Sequence, residues 1–213
     1  MLPSSRFRML LLVASNVDYS KISRSKRRNR HHFLAAWLRS PLKMGALVPS
    51  SRALARAMAA QVTARSGAVI ELGAGTGVVT HALVQAHIPP ERLVVIERDL
   101  RLHALVMAQF PHLNVLCADA MELGAVLEEH HIDEINAIVS SLPLLSMPEQ
   151  VRNAIIHQMA TLIGDHGRIV QFTYGPRSPI RRGHLRKYRL AGRRVKLVVA
   201  NIPPAHVWVY QRA

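Results

Sequence analysis

From residue 66 onward, short apolar runs alternate with stretches of helical spacing. Runs at 68–72, 93–97, 113–117, 135–140 and 167–173 are bounded by polar or turn residues and read as buried strands. Helices fall between them at about 78–87, 99–109, 120–130 and 147–163, where apolar residues recur three or four apart. The last helix has the clearest end signals: a Ser146/Glu149 capping-box pair, Pro148 in the first turn and Gly164 as the stop. After Tyr174 two β-rich runs, 195–200 and 206–210, are joined by Asn201-Ile202-Pro203-Pro204 with no helix between them. The pattern predicts an α/β fold: a seven-stranded, mostly parallel sheet with helices on both faces and a C-terminal antiparallel hairpin. Before this region, Phe33, Leu34, Trp37 and Leu38 share one helical face that ends at Pro41, and Ser50-Ser51 caps a helix running through Ala53, Leu54, Ala57, Met58 and Val62. The expected organisation is a flexible basic segment over 1–28, an N-terminal amphipathic helical extension over 29–66 acting as a cap, and the main domain over 67–213. No internal repeat is visible.

Charge changes the picture more than size does. The 213 residues carry 28 Lys and Arg against 13 Asp and Glu, a net charge of +15, which implies an anionic partner, either nucleic acid or a membrane surface. Six cations crowd into residues 21–30, and a second group (Arg177, Arg181, Arg182, Arg186, Lys187 and Arg189) follows Tyr174. The single cysteine, Cys117, excludes an intrachain disulfide and suits a reducing cytoplasm; its apolar neighbours Val115 and Leu116 predict a packed core thiol. The apolar run 9–14 is too short for a signal-peptide core or a span, so the expected location is cytoplasmic and at most peripheral to a membrane.

The candidate chemistry sits at strand ends. Val69-Ile70-Glu71-Leu72-Gly73-Ala74-Gly75-Thr76-Gly77 is a strand breaking into a turn whose glycines let a ligand touch backbone. Val78 stands where a dinucleotide fingerprint needs a third glycine. Acid-x-G-x-G-x-G instead resembles the class I S-adenosylmethionine-dependent methyltransferases, which implies a Rossmann-like fold. Glu97 ends the second strand, 20 residues after Gly77, where a carboxylate can accept from both ribose hydroxyls. Asp119 follows the third strand, placed for the adenine amine, and Ser140-Ser141 ends the fourth, beside the expected transfer centre. Taken singly, Glu71 is equally a solvated acid, and Glu97 and Asp119 equally helix caps; Asp99 reads better as a cap than as the ribose ligand. Their order at four successive strand ends favours the cofactor reading.

The acceptor is narrowed by Ser140-Ser141-Leu142-Pro143-Leu144-Leu145. Base-amine methylases place Asn or Asp, a proline and an aromatic here to hold and stack a flipped base; Ser140 and Leu144 do not fit. Residues 41–51 (Pro-Leu-Lys-Met-Gly-Ala-Leu-Val-Pro-Ser-Ser), the glycine loop, 140–145, Gln171-Phe172-Thr173-Tyr174-Gly175-Pro176 and Pro203-Pro204-Ala205-His206-Val207-Trp208 together resemble bacterial phospholipid N-methyltransferases, from about Phe33 to Tyr210. The resemblance implies stepwise methylation of phosphatidylethanolamine towards phosphatidylcholine, with S-adenosylhomocysteine released at each step. This chain has Arg98-Asp99 after the ribose acid, where the family often has other residues. The donor-site candidates are Glu71, Gly73, Ala74, Gly75, Thr76, Gly77, Glu97, Arg98, Asp119, Ala120, Ser140 and Ser51. Those for the acceptor are Ser141, Leu142, Pro143, Tyr174, Arg177 and Lys43, with Tyr174 and Ser140 as the catalytic pair.

A basic helix carrying Phe33 and Trp37 suits a membrane interface, or else packs on the sheet beside a solvated arginine arm. The second cation cluster either surrounds a lipid phosphate or forms a solvated loop. Tyr174, Ser140 and the Ser141 or Leu142 carbonyls are candidate proton acceptors, and the Tyr174 ring could hold a methylated cation; a core role at the strand end is its alternative. No metal is expected, since the adjacent pairs His31-His32 and His130-His131 lack chelating spacing. A monomer is expected. The competing function is an RNA adenine methyltransferase, with a non-catalytic module behind it.

Overall fold

The computed structural model describes residues 51–63 and 66–213. The basic segment at 21–30, the Phe33–Trp37 helix, Lys43 and Ser50 lie outside the described residues. Helix α1, Arg52–Ala59, starts at Ser51, whose hydroxyl accepts from the Leu54 amide at 3.2 Å. Then come β1 (Ala68–Leu72), α2 (Val78–Gln85), β2 (Leu93–Ile96), α3 (Leu100–Gln109), β3 (Asn114–Leu116), α4 (Leu123–Glu129), β4 (Ile135–Ser140), α5 (Glu149–Leu162), β5 (Arg168–Thr173), α6 (Arg182–Lys187), β6 (Leu190–Val198) and β7 (Ala205–Arg212). The seven strands form one sheet in the order β3-β2-β1-β4-β5-β7-β6. The pairs from β3 to β5 are parallel, and β7 and β6 add antiparallel ladders at one end.

Strand alternation divides the core into two layers. Val69, Val95, Val139, Val170 and Val207 pack with Leu54 and Met58 of α1 and Leu83 of α2. Ile70, Ile96, Ile138, Ile169 and Tyr210 pack on the other side with Leu123 and Leu127 of α4 and Ile155, Ile156 and Met159 of α5. Burial on both faces explains why the central strands read as continuous apolar runs. Between β1 and β4 the strand order reverses, leaving a crevice beyond their carboxyl ends.

Several sequence expectations shift. The hairpin's first strand begins at Leu190 rather than 195, because β6 is an edge strand whose largely exposed, cation-rich faces hide the apolar signal. At the opposite edge β3 is correspondingly short. Cys117 is exposed, not core, since β3 ends at Leu116 and the chain emerges there. Partial burial, then the Glu97 and Asp99 charges, pushes its thiol pKa up, away from a thiolate. The capping box is absent: α5 starts after Pro148, while Ser146 belongs to the tight turn Leu144–Ser146. Glu149 instead lies 3.7 Å from Arg152 and 3.6 Å from Arg181. Extended backbone at Ile163 ends the helix without a left-handed Gly164.

The second layer is closed by Arg212, which donates to the carbonyls of Tyr188, Ala160 and Ile163 at 2.7, 2.9 and 3.2 Å. These are unsatisfied carbonyls around the ends of α5 and α6, tied to the last strand. Arg212→Leu should cost about 2 kcal/mol by urea unfolding, from loss of charge-assisted hydrogen bonds; an unchanged midpoint would contradict this role.

Candidate active site

The loop after β1 is fixed by backbone. The Gly73 amide donates to Ile96 O and the Ser141 amide to Leu72 O, both at 2.9 Å, so the segments leaving β1 and β4 are hooked to their neighbours. Positive φ values at Gly73 (76°), Gly75 (59°) and Gly77 (81°) carry the chain into α2. A Cβ on Gly73 would strike Leu142 Cδ2 at 2.6 Å, and one on Gly77 would press on Phe110 at 3.0 Å. At Gly75 a Cβ would meet nothing within 4 Å, so this glycine faces open space. The sequence motif therefore contains two packing glycines and one that opens a cradle.

Glu97 sets the far wall. Its Oε2 accepts from the Gly75 amide at 2.9 Å and its Oε1 from the Asp99 amide at 2.8 Å, and the residue is buried. Asp99 caps α3, as expected, accepting from the Arg101 and Leu102 amides. Asp119 both caps the following turn through Met121 N and pairs with Arg98 at 3.0 Å. The cap reading of Asp119 thus holds alongside an ion pair that sequence did not anticipate. Ala120 is buried behind it.

Glu71 is the electrostatic anomaly. It is fully buried between its register partners Val95 and Val139, and neither carboxyl oxygen has a hydrogen-bond partner of normal geometry. Burial pushes its pKa up to about 8; the Thr80 side chain and amide oppose the shift, and the Glu97 charge adds to it. Glu71 is thus a buried, largely protonated carboxyl at neutral pH, two residues before the glycine turn begins at Gly73.

Beyond β4 and β5 lies a second group. Ser140 is fully buried, with its hydroxyl 3.4 Å from the Leu142 amide. The Leu142 carbonyl, a candidate proton acceptor, already receives Gln171 Nε2 at 2.9 Å. Gln171 is itself buried, with Oε1 unpartnered, as is Ser141 Oγ. Tyr174 is half-buried and meets Phe172 edge-on at 5.3 Å. Burial raises its pKa and the Asn201 side chain opposes that, so Tyr174 is a neutral phenol rather than a phenolate base. Asn201, which the sequence offered only as a turn residue before two prolines, is buried: it accepts from the Ser51 amide at 2.9 Å and donates to Pro203 O at 2.8 Å. Ser51 is thereby joined, through Asn201, to the Tyr174 side of the site. Arg177 is exposed on the loop after Tyr174.

The Glu71 shift fixes a pH dependence. With a folded pKa near 8 against the ordinary 4.5, the folded state holds the proton more tightly, so stability falls as pH rises between these values and levels off above. Glu71→Gln should raise the melting temperature of the ligand-free protein by several degrees at about pH 9 and change it little at about pH 4. Scanning calorimetry at both pH values checks this; equal effects would refute it.

No protein-family model matches the chain. The chain is 27% identical to an ornithine lipid N-methyltransferase of Singulisphaera acidiphila over 148 residues, covering 68% of this chain and 77% of the relative. Among solved structures it resembles a TehB-like S-adenosylmethionine-dependent methyltransferase from Corynebacterium glutamicum, with TM-score 0.54 and 15% identity over 87% of this chain and 99% of that one. It also resembles the magnesium protoporphyrin IX methyltransferase of Synechocystis with bound S-adenosylmethionine, with TM-score 0.56 and 13% identity over 75% and 76% of the two chains. Identities this low carry the fold. Together with the strand order, these likenesses show that the chain has the fold of the class I S-adenosylmethionine-dependent methyltransferases.

Proposed function

We propose that this chain is a class I S-adenosylmethionine-dependent methyltransferase that acts on the amine of a membrane lipid headgroup, converting phosphatidylethanolamine and its mono- and dimethyl derivatives towards phosphatidylcholine at the cytoplasmic face of a membrane. The observation that carries the acceptor class is the likeness to a lipid N-methyltransferase across most of that relative's length. The excess of cations supports an anionic setting. The loop after β4 adds to it, for Ser140 offers no amide or acid to hold the planar amine of a base and Leu144 no aromatic to stack on it.

In this reading Gly73–Gly77 and Glu97 hold the donor, with Glu71 beneath them and Arg98, Asp119 and Ala120 beside the adenine. Bound S-adenosylmethionine supplies an activated methyl group on a sulfonium. The protein then has to position a neutral amine and exclude water. Glu97 can accept from hydroxyls because its two amide bonds leave lone pairs free on a carboxylate. Tyr174, kept neutral, accepts through its hydroxyl oxygen and offers its ring face to a methylated ammonium. Ser140, Ser141, Leu142 and Pro143 form the opposite wall, with Gln171 pinning the Leu142 carbonyl. Ser51 acts through Asn201, and Arg177 stands at the entrance for a headgroup phosphate.

The test is methyl transfer from labelled S-adenosylmethionine to phosphatidylethanolamine vesicles, ornithine-lipid vesicles or RNA. Label in the phosphatidylethanolamine is the expected result; label confined to RNA, to ornithine lipid or to nothing would overturn the assignment. Tyr174→Ala should reduce kcat/KM for the lipid about tenfold or more, and Tyr174→Phe, which keeps the ring face but loses the accepting hydroxyl, should fall between it and the unchanged protein. Gly75→Ala places a methyl group in the cradle and strains a positive φ. Titration calorimetry should show S-adenosylmethionine affinity weakened about tenfold or more, with a stability loss of only about 1 kcal/mol.

A further inference from the structure

The β6–β7 hairpin carries a surface that the donor and acceptor sites do not use. Val198 pairs with Ala205, and Thr173 pairs with His206, so the connection between β6 and β7 projects past the carboxyl end of β5. That is the end where Tyr174 emerges. Val199 is 71% exposed and Ile202 78% exposed on this connection, while Asn201 between them turns inward and is buried. Behind the tip, β6 is the sheet edge. Arg193 and Lys196 share the face of Val209 and Val207, whereas Arg194 shares the face of Trp208, so exposed cations flank the tip on both sides of the sheet.

Charges alone would be explained by protection of an open sheet edge against pairing. Two exposed branched aliphatic residues at the tip are not explained that way, because edge protection comes from charge and proline and gains nothing from the apolar Val199 and Ile202. An apolar tip with a cationic collar is complementary to an anionic bilayer: the aliphatic side chains enter the acyl boundary while the guanidinium and ammonium groups stay among the phosphates. We propose that the β6–β7 hairpin tip, Val199 and Ile202 with Arg193, Arg194 and Lys196 behind them, is a docking surface for an anionic lipid membrane, setting the Tyr174 end of the sheet against the headgroups. The inference rests on the lipid-acceptor reading for its purpose, and its test is separable from that reading.

The full chain with Cys117→Ser and Val199→Cys, labelled at residue 199 with a polarity-sensitive fluorophore, is mixed with phosphatidylglycerol-containing vesicles. Blue-shifted emission is expected with anionic vesicles. None is expected with neutral phosphatidylcholine vesicles, or from a label at Glu129→Cys on the opposite end of the sheet. In unlabelled protein, Val199→Ser with Ile202→Ser should reduce co-sedimentation with the anionic vesicles about tenfold, and so should Arg193→Gln with Lys196→Gln. Methylation of detergent-dispersed phosphatidylethanolamine should stay unchanged in both variants. An unshifted label at residue 199, unchanged co-sedimentation of the tip variant, or a shift elicited by RNA instead of vesicles would overturn the docking surface. A shifted label without any methylation of the dispersed lipid would leave the docking surface standing and remove the acceptor assignment.

Discussion

One carboxylate, Glu97, holds together the crevice beyond the carboxyl ends of β1 and β2. Its two oxygens take the Gly75 and Asp99 amides, so it fastens the loop after β1 to the start of α3. Without that acceptor, two backbone N–H groups in a partly buried crevice would lose their partners, and the left-handed turn at Gly75 would lose its anchor. The hooks from Gly73 to Ile96 and from Ser141 to Leu72 extend the same fastening across three adjacent strands. The crevice is therefore shaped before any ligand enters, which reduces the ordering cost of binding.

Glu71 is the counterweight to this rigidity. A carboxyl group walled by valines, with only the Thr80 hydroxyl and amide to offset its burial and no hydrogen bond of normal geometry, is a local violation of the rule that buried polar atoms are satisfied. Such violations persist where function needs them. Here it lies two residues before the glycine turn, at the head of the crevice. The group titrates near neutrality, so it can respond to charge arriving above it.

Much of this was legible in the chain. The acid-and-glycine loop, Glu97 and Asp119 fall at successive strand ends because a doubly wound sheet repeats one strand-turn-helix unit, and local pattern reports local units well. Edges were less legible. Leu190–Arg194 did not read as strand because an edge strand carries cations on both faces, and Cys117 looked buried because a three-residue strand ends one position earlier than its apolar run. Ser146 and Glu149 had capping-box spacing, yet Pro148 and the turn before it moved the helix start. Long-range partners were invisible: nothing in Asn-Ile-Pro-Pro announces that Asn201 reaches Ser51, or that Gln171 pins Leu142.

The Asn201 contact has a consequence for how the molecule comes into being. Its bond to Ser51 spans 150 positions, whereas the Glu97 to Gly75 contact spans 22. Local closures form early and distant ones late, because a long loop must be ordered before the contact rewards it. During synthesis the crevice beyond β1 can assemble once β1 to β4 have emerged, while the Tyr174 side waits for the β6–β7 hairpin. A nascent chain that has not yet released β6 and β7 would thus have a formed crevice beyond β1 and an unfinished Tyr174 side.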